Sequence, residues 1–310
     1  MKLKKIILSI TLMSAMLVGC STKNTSTNVS DQPTTQETTE KEKKELPKIS
    51  VASVSMSQVL DAMDIDVVGR PKTQLTLPER YKDVTEIGTS PSPDFEKLLE
   101  VGTELLIGDL SFKERLEKSA EEYNMDVFYA NTSTYDDFLN TIEELGKKLD
   151  REEDSTKVID GIKNSMKKYE GKQSDKKVAI IFGTSESNQL ATETSYVGSL
   201  VKALGGQNIV NYIAEKDKSI LTETGTPYVN LNIEQILANQ PDIVLRFGHG
   251  DLEAAKKSFE KLFDENPVWK DLDAVKNNKV YDLDSAIFNV SANMRIGEGL
   301  EQLGEILYSE

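Results

Sequence analysis

Two stretches of this chain, 138 residues apart, carry the same pattern, and that repeat restricts the fold more than any other feature. Asp94 falls on Asn232, Phe95 on Ile233, Glu96 on Glu234, Leu99 on Leu237 and Glu104 on Asp242, and Leu105-Leu106-Ile107 falls on Ile243-Val244-Leu245. Each copy reads as a capped helix feeding a short apolar strand. A strand that is apolar at consecutive positions is covered on both faces, which is the habit of parallel sheets flanked by helices. The repeat therefore predicts two similar α/β lobes with parallel-rich sheets.

The rest of the pattern fits that frame. In an N-terminal lobe over 48–134, strands are expected at Ile49–Val54, Asp66–Gly69, Glu104–Ile107 and Asp126–Ala130, with helices at Ser57–Met63, Phe95–Val101 and Lys113–Asn124. In a C-terminal lobe over 173–310, strands are expected at Lys177–Phe182, Ile209–Val210, Ile243–Leu245 and Val280–Leu283. Helices there fall at Ser195–Leu204, Ile233–Ala238, Leu252–Phe263 and Asn293–Tyr308. Between the lobes, 135–172 reads as a helical connector, with Phe138, Ile142, Leu145, Leu149, Val158, Ile162 and Met166 recurring at helical spacing. No proline or glycine pair interrupts it, so it is read as a single long helix joining the lobes, and the charged run Asp150–Asp154 is the one place where a bend would fall. The clean heptads are too few for a coiled coil.

The N-terminus carries a different message. Lys2, Lys4 and Lys5 precede 13 apolar-rich residues, Ile6 to Val18, and then Gly19-Cys20. Thirteen helical residues rise about 20 Å, short of the roughly 30 Å hydrocarbon layer, so 1–19 reads as a signal peptide. Leu17-Val18-Gly19-Cys20 resembles the lipobox of bacterial lipoproteins, in which the cysteine is diacylated and becomes the first mature residue. Cys20 is the only cysteine, which rules out disulfides and cysteine-based zinc sites. Residues 20–47 hold two large apolar residues, Val29 and Leu46, and are expected to form a disordered tether. Loss of the three leader lysines leaves 34 basic residues against 52 acidic ones, a net charge of about −18. Such a chain has no electrostatic attraction to nucleic acid or anionic lipid, so the acyl chains must do the anchoring.

No catalytic constellation stands out. His249 is the only histidine, there is no phosphate-binding glycine loop, and Gly183-Thr184-Ser185-Glu186-Ser187 lacks the second glycine of a nucleophile elbow. With 52 acidic residues a carboxylate-pair hydrolase of the envelope stays open as the enzymatic alternative. Two lobes, a helical connector and a lipidated tether describe a receptor better than an enzyme.

Leu77 to Gly88, Pro241 to Gly250 and Val275 to Leu283 resemble the haem-receptor lipoproteins of the iron-regulated surface determinant system, and the likeness runs from Ile49 to the end. More broadly the chain is similar to the helical-backbone class of ABC-importer receptors for haem, siderophores and corrinoids. The resemblance implies a ligand cleft between the lobes and a monomer on the outer face of a Gram-positive cell membrane. Its implied partners are a permease dimer with its ATPase and cell-surface haem-relay proteins. The cargo it implies is haem, with a ferric siderophore or corrinoid as the alternative on the same architecture.

In that family the haem iron is held by a histidine from the C-terminal lobe and a methionine from the N-terminal lobe. The histidine position matches His249. The methionine position falls near Pro91, in Gly88-Thr89-Ser90-Pro91-Ser92-Pro93, where no thioether is present. That leaves five-coordinate haem, a substitute sulfur from Met56 or Met294, or a different ligand. Arg70, Lys72 and Thr73 are candidates for the cargo carboxylates, and Tyr196, Tyr228, Phe247 and Phe288 for the walls of the cleft. Through the internal repeat, Glu96 and Glu234 match the pair of glutamates that dock such receptors onto their permeases. Their alternative role is to favour the helix dipole, worth about 0.3–1 kcal/mol each. The only tryptophan, Trp269, lies in a helix-to-strand connection.

Overall fold

The structure is a computed structural model, and it describes residues 45–220 and 225–309. The expected signal peptide, the lipidation site at Cys20 and the tether up to residue 44 lie outside the described residues. Leu46, assigned above to the tether, already packs against the core.

The N-terminal lobe runs β1 (Ile49–Val51), α1 (Val54–Ala62), β2 (Gly69–Arg70), β3 (Thr85–Glu86), a small hairpin of β4 (Gly88–Thr89) and β5 (Ser92–Pro93), α2 (Phe95–Glu100), β6 (Leu105–Asp109), α3 (Lys113–Glu122) and β7 (Asp126–Ala130). Its sheet has the order β3-β2-β1-β6-β7, and every neighbouring pair is parallel. Two helices follow, α4 (Tyr135–Lys148) and α5 (Glu152–Ser165). The C-terminal lobe then runs β8 (Lys177–Gly183), β9 (Asn188–Ala191), α6 (Tyr196–Ala203), β10 (Gln207–Asn208), α7 (Ile209–Lys216), β11 (Tyr228–Asn230), α8 (Ile233–Asn239), β12 (Ile243–Gly248), α9 (Leu252–Glu265), α10 (Asp273–Lys276), β13 (Val280–Asp282) and α11 (Ile296–Tyr308). Its sheet has the order β11-β9-β8-β12-β13, with β10 beside β8 and β9 antiparallel to both its neighbours.

The repeat holds down to single hydrogen bonds. In the first lobe the Lys48 N–H donates to the Glu104 carboxylate at 2.7 Å and the Glu104 N–H donates to the Lys48 carbonyl at 2.8 Å. In the second lobe Lys177 and Asp242 make the same two bonds, at 2.7 and 2.8 Å. Each pair seats the strand after the repeated helix beside the first strand of its own lobe. The caps match as well: Asp94 accepts from the Lys97 N–H, and Asn232 from the Glu234 and Gln235 N–H groups.

Side-chain parity decides where each sheet buries its residues. Leu105 and Ile107 of β6 and Ile243, Leu245 and Phe247 of β12 enter one large core, whereas Leu106 and Val244 enter separate cores on the outer faces. The large core is continuous from the N-terminal sheet through Phe138, Ile142 and Ile162 of the connector to Leu300 and Leu303 of α11. The lobes are thus joined by a shared hydrophobic core as well as by the chain.

Several expectations need correction: the strand expected at Ile49–Val54 ends at Val51, with Val54 opening α1, and the one expected at Asp66–Gly69 is confined to Gly69–Arg70. The connector is not a single helix: α4 ends at Lys148, Asp150 takes a left-handed φ of 54°, and α5 begins at Glu152. The chain turns there because α4 closes with Lys147 and Lys148 while α5 opens with Glu152, Glu153 and Asp154, each the favourable sign for its helix end. Gly146 lets the second helix come close, since a Cβ there would lie 2.1 Å from the Ser155 hydroxyl. Ile209-Val210 is likewise not a strand but the first turn of α7, capped by Asn208, whose side chain accepts from the Val210 N–H at 2.9 Å.

Candidate functional site

Parallel α/β sheets leave their ligand sites at the carboxyl ends of the strands, where loops turn into helices. In this chain those loops meet across the two lobes. The Ala292 N–H, beyond β13, donates to the carbonyl of Thr132, just after β7, at 2.8 Å. The Ser55 hydroxyl, in the first turn of α1, donates to the Ala292 carbonyl at 2.6 Å, and the Met294 N–H donates to the Gln58 side chain at 3.2 Å. These bonds set the segments after β1 and β7 against the segment after β13, and the parallel order of the strands places the carboxyl ends of β2 and β6, and of β8 and β12, along the same edges, which form the cleft rim.

His249 sits on this rim. Its N–H donates to the Gly183 carbonyl at 3.0 Å, extending the β8–β12 ladder by one step, and its side chain is exposed. Gly183 and Gly248 make that position possible. A Cβ on Gly183 would lie 2.5 Å from the Phe259 ring, and one on Gly248 would lie 2.9 Å from Ala255, so both glycines let α9 lie against the strand ends. Asp251 then caps α9 through the Ala254 N–H at 3.0 Å. The imidazole Nδ1 is 2.7 Å from Asn289 Oδ1, and Nε2 has no hydrogen-bond partner among the described residues.

Of the remaining expected residues, the structure keeps some at the rim and removes others. Met56 has no exposed surface and belongs to the core beneath α1, so it cannot present its sulfur to a ligand. Met294 is half-buried at the contact between the lobes and is the remaining candidate thioether. Tyr196, Phe247 and Phe288 are fully buried, so these three build the core instead of lining the cleft. Tyr228 is half-buried and stacks on Phe182 with ring centres 4.3 Å apart, and burial pushes its phenol well above the usual range.

Arg70 is committed elsewhere. Its guanidinium pairs with Glu86 at 3.0 Å and donates to the Val84 and Pro71 carbonyls at 3.0 and 3.3 Å. The Thr73 hydroxyl oxygen accepts from the Leu75 N–H at 3.0 Å and so closes a turn. Lys72 is exposed, with its own N–H bonded to the Gly88 carbonyl, and its ammonium makes no ion pair among the described residues. Glu96 and Glu234 are both exposed in the first turns of α2 and α8, and neither carboxylate is paired among the described residues. Trp269 is buried and stacks on Phe263 in the outer core of the C-terminal lobe.

Three rim leucines were not anticipated. Leu75 in the loop after β2, Leu110 in the short 3-10 turn after β6 and Leu252 at the first position of α9 after β12 are 63%, 40% and 46% exposed. Leucine at a loop tip looks like any other apolar residue in sequence, and only the placement at strand carboxyl ends gives these three a common meaning. A separate groove of about 750 Å³ lies between α4, α5 and α6, lined by residues that include Tyr135, Asn164, Met166, Thr194 and Lys202, and it contains none of the expected site residues.

Two α/β lobes around a loop-rimmed cleft, joined through a helical connector, define a binding protein of the helical-backbone class. The sequence matches the periplasmic binding protein family over residues 49–287, and the chain belongs to that family. It is 32% identical over 267 residues to the high-affinity heme uptake system protein IsdE of Staphylococcus aureus, covering 85% of this chain and 88% of that one. Among solved structures, an ABC transporter substrate-binding protein from Listeria monocytogenes EGD-e superposes with a TM-score of 0.72 at 30% identity, over 86% of this chain and all of the other. Staphylococcus aureus IsdE complexed with heme superposes with a TM-score of 0.71 at 30% identity, over 85% of this chain and 99% of the other. Staphylococcus aureus SirA complexed with staphyloferrin B, at 21% identity, a TM-score of 0.65 and coverage of 86% and 94%, shares the fold alone. The chain is a substrate-binding protein of the kind that serves ABC importers, not an enzyme.

Proposed function

We propose that this protein captures haem at the outer face of the cell membrane and delivers it to an ABC permease for iron uptake, with His249 as an axial ligand of the iron. The observation that carries this reading is the sole histidine of the chain, exposed at the carboxyl end of β12 with Nε2 unengaged among the described residues. One imidazole cannot hold a bare metal ion, but an iron already bound by four macrocycle nitrogens needs only one or two protein ligands. The exposed Leu75, Leu110 and Leu252 suit a flat apolar ring, Lys72 suits its carboxylates, and Met294 is the candidate for the sixth position. The relative named for heme uptake supports the same cargo.

Diacylation at Cys20 would hold the protein at the membrane, two acyl chains being enough for stable attachment. No helix among the described residues is long and apolar enough to cross a membrane. Glu96 and Glu234, one on each lobe, would dock onto the two halves of a permease dimer, and a surface haem-relay protein would supply the cargo. Burial of Trp269 away from the cleft weighs against a siderophore gripped by tryptophan. Calorimetric titration with haemin, a ferric siderophore and cobalamin tests the cargo: saturable binding of haemin alone is expected, and saturable binding of either other ligand with none of haemin overturns it.

A further inference from the structure

The hydrogen bond between His249 and Asn289 contains more information than its length. Asn289 Oδ1 lies 2.7 Å from the imidazole Nδ1 and also accepts the Val290 N–H at 2.8 Å. The second bond identifies the atom: an amide nitrogen in that place would point its hydrogens at a backbone N–H. An oxygen facing Nδ1 can only accept, so Nδ1 must carry the proton, and the lone pair of the neutral ring is left on Nε2.

The segment that carries Asn289 is itself fixed. The Asp284 carbonyl accepts from the Ile287 and Phe288 N–H groups at 3.0 and 2.8 Å, and both side chains are fully buried. Three residues beyond Asn289, Ala292 is tied to the N-terminal lobe through Thr132 and Ser55. Asn289 is therefore held from both sides and the imidazole is held by Asn289, although the ring is exposed.

We infer that Asn289 is a positioning residue that presets His249, before any cargo arrives, as an Nδ1–H imidazole with Nε2 free to bind iron. This rests on the proposed role of His249, and it assigns to a residue 40 positions away the choice of tautomer and of ring orientation. Truncating such a supporting group typically costs about 10- to 100-fold in metal affinity.

Because the chain has one histidine, a single imidazole spin system reports the tautomer without ambiguity. Long-range ¹⁵N–¹H spectra of the cargo-free protein at about pH 8, above the ordinary imidazole range, should show protonation at Nδ1. In Asn289→Ala the ring should move toward the Nε2–H tautomer that free imidazole side chains favour, and haemin affinity should fall about 10- to 100-fold. Asn289→Asp keeps an acceptor in place and should retain Nδ1–H, which separates positioning from a folding defect. A wild-type ring protonated at Nε2, or a tautomer unchanged in Asn289→Ala, would overturn the inference. An Nδ1–H ring that depends on Asn289, in a protein whose haemin spectrum ignores His249→Ala, would uphold the positioning role and overturn the haem reading instead.

Discussion

Ser55, on the first helix of the N-terminal lobe, donates its hydroxyl to the carbonyl of Ala292 in the C-terminal lobe at 2.6 Å, across 237 residues of sequence. The same residue, Ala292, gives its N–H to Thr132. One short segment after β13 thus locks both of its backbone groups to the opposite lobe. Ser55→Ala leaves the Ala292 carbonyl without this partner and should lower the unfolding free energy by about 1 kcal/mol, read from denaturant midpoints. The continuous core through the connector keeps the lobes together, so the variant should still unfold in one transition.

Gly183 bears on both the fold and the site. A Cβ there would stand 2.5 Å from the Phe259 ring, and the Gly183 carbonyl holds the His249 N–H. Gly183→Ala should displace α9, cost about 1–3 kcal/mol by overpacking, and weaken cargo binding at the same time. Unchanged haemin affinity in that variant would show that the His249 loop does not depend on the close approach of α9.

The repeat-related glutamates make a separable prediction. Glu96→Ala and Glu234→Ala remove exposed carboxylates that are unpaired among the described residues, so stability should change by no more than about 1 kcal/mol through the helix dipole. Transport in reconstituted proteoliposomes should be lost while cargo affinity stays at the wild-type value. A variant that transports normally excludes the docking role.

Two parts of the cargo should be read by different residues. Leu110→Ser and Leu252→Ser remove exposed apolar surface from opposite sides of the rim and should each weaken haemin binding roughly tenfold, about 1.4 kcal/mol. Lys72→Ala should weaken haemin several-fold but leave haem dimethyl ester unaffected, because the ester has no carboxylate to pair with. Equal losses for both ligands in Lys72→Ala would remove it from the carboxylate contact.

The two-lobe plan was legible because the repeat preserved parity as well as character: Leu105, Leu106 and Ile107 and their counterparts Ile243, Val244 and Leu245 divide between inner and outer cores in the same order. The turn at Asp150 was legible in principle, since Lys147-Lys148 followed by Glu152-Glu153-Asp154 is the charge reversal of one helix ending and another beginning. The antiparallel β9 and β11 are only four and three residues long, too short to show alternation, and neither was anticipated. Phe247 was misplaced as a cleft wall for a physical reason that parity on β12 already contained: it shares its side of the strand with Ile243 and Leu245, and that side is the core. Asn289 was beyond reach, because only the folded chain brings it to His249 across 40 residues.

The most direct measurement is an optical titration of the purified protein with haemin, wild type against His249→Ala. A saturable one-to-one Soret shift in the wild type, with a band position that changes in the variant, is the predicted result and would place His249 on the iron. A Soret band that is identical in the two proteins, or no saturable shift in either, would contradict haem capture through His249 and leave only the binding-protein fold standing.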